Sequence, residues 1–155
     1  MANYKKIEIK NKKASFEYHL LQTFESGIVL SGTEVKSIRE GKANINEAYC
    51  HFDKNGELWI KNMHISEYKL GTYYNHETKR DRKLLLKKSE LKKLQRKVNE
   101  KGLTIVPTKV YFNERGLVKI EIALAQGKRA FDKRHSIKDK DMKREESRIN
   151  KWNKY

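Results

Sequence analysis

A single cysteine, Cys50, excludes any disulfide within the chain and points to a reducing compartment. A single proline, Pro107, falls inside the apolar stretch TIVPTKVYF, where it marks an edge position or a bulge in a strand. Long apolar runs are missing. None approaches the roughly 20 residues that cross a bilayer, and no signal-peptide core follows the basic start MANYKKIEIKNKK. A membrane partner is therefore not expected, and the expected location is the cytoplasm. Metal-ligand spacing is missing as well. His19, His51, His64, His76 and His135 form no HxxxH pair, and Cys50 and His51, as strand neighbours, face opposite ways. Gly41-Lys42 lacks the earlier glycine of a phosphate loop. Acidic residues stand singly among bases, unlike the carboxylate cluster of a two-metal nuclease. Cys50 as a nucleophile needs a base and an orienting group, which sequence does not place; a small apolar core residue is the simpler reading. No catalytic residue, metal or cofactor is expected.

What is abundant is positive charge. Lys and Arg number 36 against 20 Asp and Glu, a net +16 over 155 residues. Residues 127–155 hold eleven of those bases and five of those acids, a net +6, so residues 1–126 keep +10. Such an excess attracts a polyanion. The segment 127–155 has only Phe131, Ile137, Met142, Ile149 and Trp152 as large apolar residues, too few for a core. Two parts are expected: a domain over 1–126 and a basic tail over 127–155.

The patterning within 1–126 is mostly β. ASFEYHLLQTFESGIVL reads as extended, broken at Glu25-Ser26-Gly27 by either a bulge or a tight hairpin. TEVKSIREG reads as a short helix with Thr33 as its N-cap and Gly41 as its stop. AYCHF and ELWIKNM flank Asn55-Gly56, a hairpin signal. Residues 66–83 show no period and read as a long loop carrying Tyr68, Tyr73, Tyr74, Lys79, Arg80, Arg82 and Lys83. LLLKKSELKKLQRKVNEKG reads as a helix capped by Ser89, striped by Leu91, Leu94 and Val98 and stopped by Gly102. TIVPTKVYF and LVKIEIALA form a hairpin around NERG, with Val118, Ile120, Ile122 and Leu124 on one face. Hairpins around one long helix suit an antiparallel barrel of the oligonucleotide-binding type, five-stranded if the broken first strand counts once.

Cations recur beside aromatics: Lys12-Lys13 near Phe16 and Tyr18, Tyr73-Tyr74 near Lys79-Arg80, Lys109 near Tyr111. Cations hold phosphates and aromatic faces stack unpaired bases. With no helix-turn-helix or basic zipper, an RNA with loops is favoured over duplex DNA. Two other classes stay open on the residues alone: an RNA-processing enzyme on a basic barrel, and a structural protein of the ribosome.

Four stretches, NKKASFEY at 11–18, GIVLSGTEVKSIREGKANI at 27–45, RKLLLKKSEL at 82–91 and GKRAFDKR at 127–134, together resemble the small protein B family of SsrA-binding proteins. The resemblance runs over essentially the whole chain. It implies an oligonucleotide-binding-type barrel with peripheral helices and a long tail, and binding to the tRNA-like domain of transfer-messenger RNA. It further implies delivery of that RNA, with elongation factor Tu, to 70S ribosomes stalled without a stop codon, and no catalysis. By motif match Asn11, Lys12, Glu25, Leu85 and Lys119 fall at family positions tied to RNA binding, near Phe16 and Tyr49; Lys128, second in the GKRAFDKR stretch, joins them. Lys12 and Lys119 suit phosphates. Glu25 either accepts from base amino groups, fixes a basic neighbour, or is a turn residue. Leu85 packs beneath the surface or against a base; Tyr49 stacks or fills the core. Phe16 stands where the family often has histidine, SEY at 66–68 and HETKR at 76–80 lack the family's prolines, and Phe131 replaces a histidine or tyrosine before Asp132, Lys133 and Arg134.

For the tail, Ser136 and Asp139 have capping-box spacing, and Ile137, Met142, Ile149 and Trp152 share one side of a helix. An isolated helix of this length is marginal in water, so the tail is expected to be disordered when free and helical when bound. The resemblance places it in the 16S rRNA decoding region and the empty mRNA channel, with Phe131, Asp132, Lys133, Arg134, Met142 and Ile149 as the residues at work.

Overall fold

The computed structural model describes residues 7–71, 75–128, 142 and 144. The elements are β1 (Glu8–Lys10), α1 (Ala14–Glu17), β2 (Tyr18–Ile28), α2 (Gly32–Arg39), β3 (Ala43–Asn44), β4 (Tyr49–Phe52), β5 (Leu58–Lys61), β6 (His64–Ile65), β7 (Arg82–Leu85), α3 (Lys88–Lys101), β8 (Thr104–Phe112) and β9 (Val118–Gly127). Every pairing is antiparallel. The order β8-β4-β5-β7-β2-β9 closes on itself because β9 also pairs with β8; β1 adds to β8 from outside, and β3–β6 forms a separate small sheet.

The ring has six strands rather than five, and the difference lies in Leu84-Leu85-Leu86. These residues do not open the long helix. Arg82–Leu85 is a strand, pairing Lys83 with Trp59 and Leu84 with Ile28. Leu84 is buried and Leu85 exposed, the period of two that three consecutive leucines conceal. The helix starts at Lys88, and the cap is not Ser89: the Glu90 carboxylate reaches back to the Lys87 backbone N–H at 3.3 Å. Gly102 ends it at φ 61°, a conformation glycine adopts without strain. Leu94 is fully buried, with Leu91 and Val98 packed beside it.

Three other expectations change. The extended stretch starts at Tyr18, because Asn11 Oδ1 accepts from the Lys13 and Ala14 backbone N–H groups, each at 3.1 Å, and turns 14–17 into one helical turn. Phe16 therefore sits on α1. β2 runs unbroken through Glu25-Ser26-Gly27, and its register shift falls between Leu20 and Gln22. The cap of α2 is Ser31, whose Oγ accepts from Glu34 N while Glu34 Oε1 accepts from Ser31 N. Thr33 instead bonds His76 Nδ1 at 2.9 Å; His76 Nε2 meets the Ile65 carbonyl at 2.9 Å, so Nε2 carries the proton and Nδ1 accepts.

Other expectations hold. The β8 register shifts between Pro107 and Lys109, the bulge that proline marks. Both hairpins close with the same device: Asp53 Oδ1 accepts from Asn55 and Glu57, Asn113 Oδ1 from Arg115 and Leu117, and Gly56 and Gly116 take φ of 77° and 76°. Inside the ring lie Val118, Ile120, Ile122 and Leu124 from β9, with Leu58, Ile60, Leu84, Ile105 and Cys50.

Arg82 is fully buried. Its Nε bonds Glu34, its Nη1 the Met63 carbonyl at 2.7 Å, and its Nη2 the Glu77 and Thr78 carbonyls at 3.3 and 3.1 Å. Arg80 Nε meets the same Glu34 carboxylate at 3.0 Å. The 66–83 stretch, read as a long loop, is thus pinned at its end by a buried ion pair, and Arg82 is structural. Tyr73 and Tyr74 lie outside the described residues. So do Phe131, Asp132, Lys133, Arg134 and Ile149, and with them the expected order of the tail; Met142 and Arg144 are helical and exposed.

Candidate nucleic-acid interface

The outer faces of β7, β2, β9 and β8 bring distant residues into two cross-strand rows. Leu85 pairs with Gly27, Gly27 with Lys119, and Lys119 with Tyr111. In the next row Glu25 pairs with Glu121 and Glu121 with Lys109. Alternation sends Val118 and Ile120 inward and leaves Lys119 outward. Three candidates far apart in sequence, Glu25, Leu85 and Lys119, therefore share one face.

The chemistry of that face is specific. Leu85 is 50% exposed and leans over Gly27, where an added Cβ would lie 3.3 Å from the Leu85 Cβ. Gly27 thus lets an apolar side chain lie flat on the sheet surface. Tyr111 donates its hydroxyl to Glu25 Oε2, and Lys109 Nζ lies 5.5 Å from the Tyr111 ring centroid. Burial and the Glu25 carboxylate push the Tyr111 phenol well above its ordinary value, so it remains a donor at any physiological pH. Glu25 is consequently no turn residue: it is an exposed mid-strand acceptor held in place by a phenol. An apolar plate, a cation and an oriented carboxylate suit an unstacked base, a phosphate and a base amino group respectively.

A second group gathers around α1. Asn11 Nδ2 donates to the Pro107 and Ile45 carbonyls at 2.8 and 3.2 Å, and its Oδ1 accepts two backbone N–H groups. Its amide is fully used. Asn11 holds the turn that presents Lys12, which is exposed and whose backbone N–H bonds Asn46 Oδ1 at 2.9 Å. Lys13 is paired with Glu47. Lys128 donates from its backbone to the Glu17 carbonyl and from Nζ to the Ser15 carbonyl, both at 2.9 Å, closing the end of α1. A cleft of about 200 Å³ beside α1 is lined by Asn11, Tyr18, Asn46, Tyr49 and Val106. Tyr49 is 40% exposed and points out of the barrel, opposite to the buried Cys50.

Sequence reading had no signal for Tyr111 as the partner of Glu25, nor for Gly27 as the bed of Leu85; both depend on strand register. Among the described residues no three His, Cys, Asp or Glu side chains stand close enough together to hold a metal, and no helix is long and apolar enough to cross a membrane. Burial pushes the Cys50 thiol far above its ordinary range.

Residues 8–152 match the family model described as SmpB protein. An SsrA-binding protein of Cytophaga hutchinsonii is 61% identical over 145 residues, 94% of each chain. One from Parabacteroides distasonis is 56% identical over 142 residues, 92% of each chain. A chain of a solved structure described as "tmRNA-SmpB: a journey to the center of the bacterial ribosome" superposes with a TM-score of 0.67 at 45% identity, covering 84% of this chain and 94% of the other.

Proposed function

The chain belongs to the SmpB protein family, and on that footing we infer that it binds transfer-messenger RNA and brings it to stalled ribosomes in trans-translation. The match over residues 8–152 carries this reading, since a barrel of this type by itself serves many functions. The outer face of the barrel supports it. Lys119 takes a phosphate of the tRNA-like domain, Leu85 packs on an unstacked base, and Glu25 accepts from a base amino group. Lys12 adds a phosphate contact, with Asn11 and Lys128 holding its turn and Phe16 and Tyr49 offering aromatic surface. The protein acts as a binder, not a catalyst, in the cytoplasm, with elongation factor Tu in the delivery complex. The tail enters the decoding region and the mRNA channel left empty by a truncated message. There Phe131 stacks, Lys133 and Arg134 contact phosphates, Asp132 accepts hydrogen bonds, and Met142 and Ile149 supply the apolar side of a bound helix.

The test is to recover the protein from its cell and sequence the RNA bound to it. The expected result is intact transfer-messenger RNA as the dominant species. RNA processed by the protein would favour an enzyme, and stoichiometric residence on every ribosome would favour a structural ribosomal protein.

A further inference from the structure

Beside the β3–β6 sheet lies a pit of about 350 Å³ lined by polar and charged residues. Asn44 and His64 stand directly opposite each other in the register of that sheet, and Asn46 and Asn62 complete a set of three amides around one imidazole. Lys79 and Lys13 stand at the lining with Glu47, which is paired to Lys13. Two of the amides are pre-positioned: Asn44 Oδ1 accepts from Asn46 N at 2.8 Å, and Asn46 Oδ1 from Lys12 N at 2.9 Å. Among the described residues no protein group bonds the Asn62 amide or the His64 ring. Asn62 is also the one non-glycine residue among them with positive φ, 61°. A backbone held in that uncommon region carries an amide that no described residue bonds.

We propose that this pit receives a single unpaired adenine of the bound RNA. The inference rests on the RNA-binding reading above and names a further contact for it. An amide offers a donor and an acceptor side by side, which matches the N6/N7 edge of adenine. Unpaired bases expose that edge to protein side chains. Asn44 and Asn62 read the edge, His64 supplies a further hydrogen bond, and Lys79 holds the adjoining phosphate. The Lys13–Glu47 pair at the lining is neutral as a unit, so Lys79 holds the phosphate at the rim while the base enters. The pit is continuous with the Lys12 turn through Asn46, which places it within the same footprint.

The test uses the full chain and the side-chain amide and imidazole resonances of Asn44, Asn62 and His64. The probes are a short single-stranded uridine oligonucleotide, the same oligonucleotide with one central adenosine, AMP, and inorganic phosphate. The adenosine oligonucleotide is expected to shift all three residues at concentrations about tenfold below the all-uridine one, the discrimination of a bidentate amide contact. Asn62→Gly keeps the positive φ without strain and removes only the amide; it should abolish that preference with the fold unchanged. Lys79→Ala should weaken both oligonucleotides alike. Equal shifts with inorganic phosphate, or no preference for adenosine, would overturn the proposal. AMP binding as tightly as the oligonucleotide would make this a free-nucleotide site and overturn the RNA assignment. Gel shift of transfer-messenger RNA, run in parallel, separates the two readings: an intact shift with silent amides sinks the pit alone, and responsive amides without any shift sink the function alone.

Discussion

Arg82→Ala should cost the protein a large share of its stability and leave its RNA chemistry untouched. Arg82 is fully buried and makes four hydrogen bonds, one to Glu34 and three to the Met63, Glu77 and Thr78 carbonyls. Removing it strands those carbonyls, leaves Glu34 buried with Arg80 as its remaining cation, and opens a void. Breaking a buried pair by deleting one partner costs about 3–5 kcal/mol. With a urea m-value of about 2 kcal/mol/M, mid-range for a small protein, the denaturation midpoint should fall by about 1.5–2.5 M. Arg80→Ala is the internal control: its side chain is 33% exposed, and the same carboxylate keeps Arg82. Its loss should be near 1 kcal/mol. The assay is urea unfolding followed by circular dichroism, with RNA gel shifts in the cold, where the folded fraction is highest. A loss below about 1 kcal/mol for Arg82→Ala would refute the structural assignment, as would weakened RNA binding per folded molecule.

Lys119→Ala should weaken transfer-messenger RNA about 3- to 10-fold at low salt and reduce the slope of log K against log salt by about 1, leaving stability unchanged; unchanged affinity would return Lys119 to a solvated face. The slope for the whole protein should be about −4 to −5 if about six phosphates are contacted, and a slope near zero would refute an electrostatic footprint. Burial alone would raise the Glu34 carboxyl, but hydrogen bonds from Arg80, the Ser31 backbone and Arg82 hold it below its ordinary value of 4.5. Its stabilisation should therefore be complete above pH 4.5 and disappear as pH falls through the lower folded value. Acid titration of stability should show that loss, and Glu34→Gln, already weakened, should show a flatter curve.

Much of this architecture was legible where the signal is local. Asn55-Gly56 and the NERG stretch specify turns through nearby side chain to backbone bonds, and Gly102 and Pro107 act on their own residues. What escaped was decided at long range. Three leucines in a row carry no period, so only pairing with Ile28 and Trp59's strand makes 82–85 a strand. Arg82 looks like any surface base until Glu34, 48 residues away, is folded against it. The candidate site shows the same division. Lys119 could be read from strand alternation, and Leu85 and Glu25 came from family resemblance. Tyr111 and Gly27 became visible only once register placed them beside Glu25 and Leu85. Asn11, taken as an RNA ligand position, spends its whole amide on the fold.

The central claim is a division of labour between a barrel that binds transfer-messenger RNA and a tail that acts on the ribosome. β9 runs to Gly127, and Lys128 still closes α1, so the chain should be cut after Lys128 rather than at the 126/127 boundary read from sequence. The decisive measurement is paired: RNA affinity by gel shift, and peptide tagging on ribosomes stalled at the 3′ end of a message. The account predicts near-normal affinity with tagging abolished, and Ile149→Asp in the full chain should move the two readouts the same way. Normal tagging by the truncated protein, or a loss of RNA affinity equal to the loss of tagging, would contradict it.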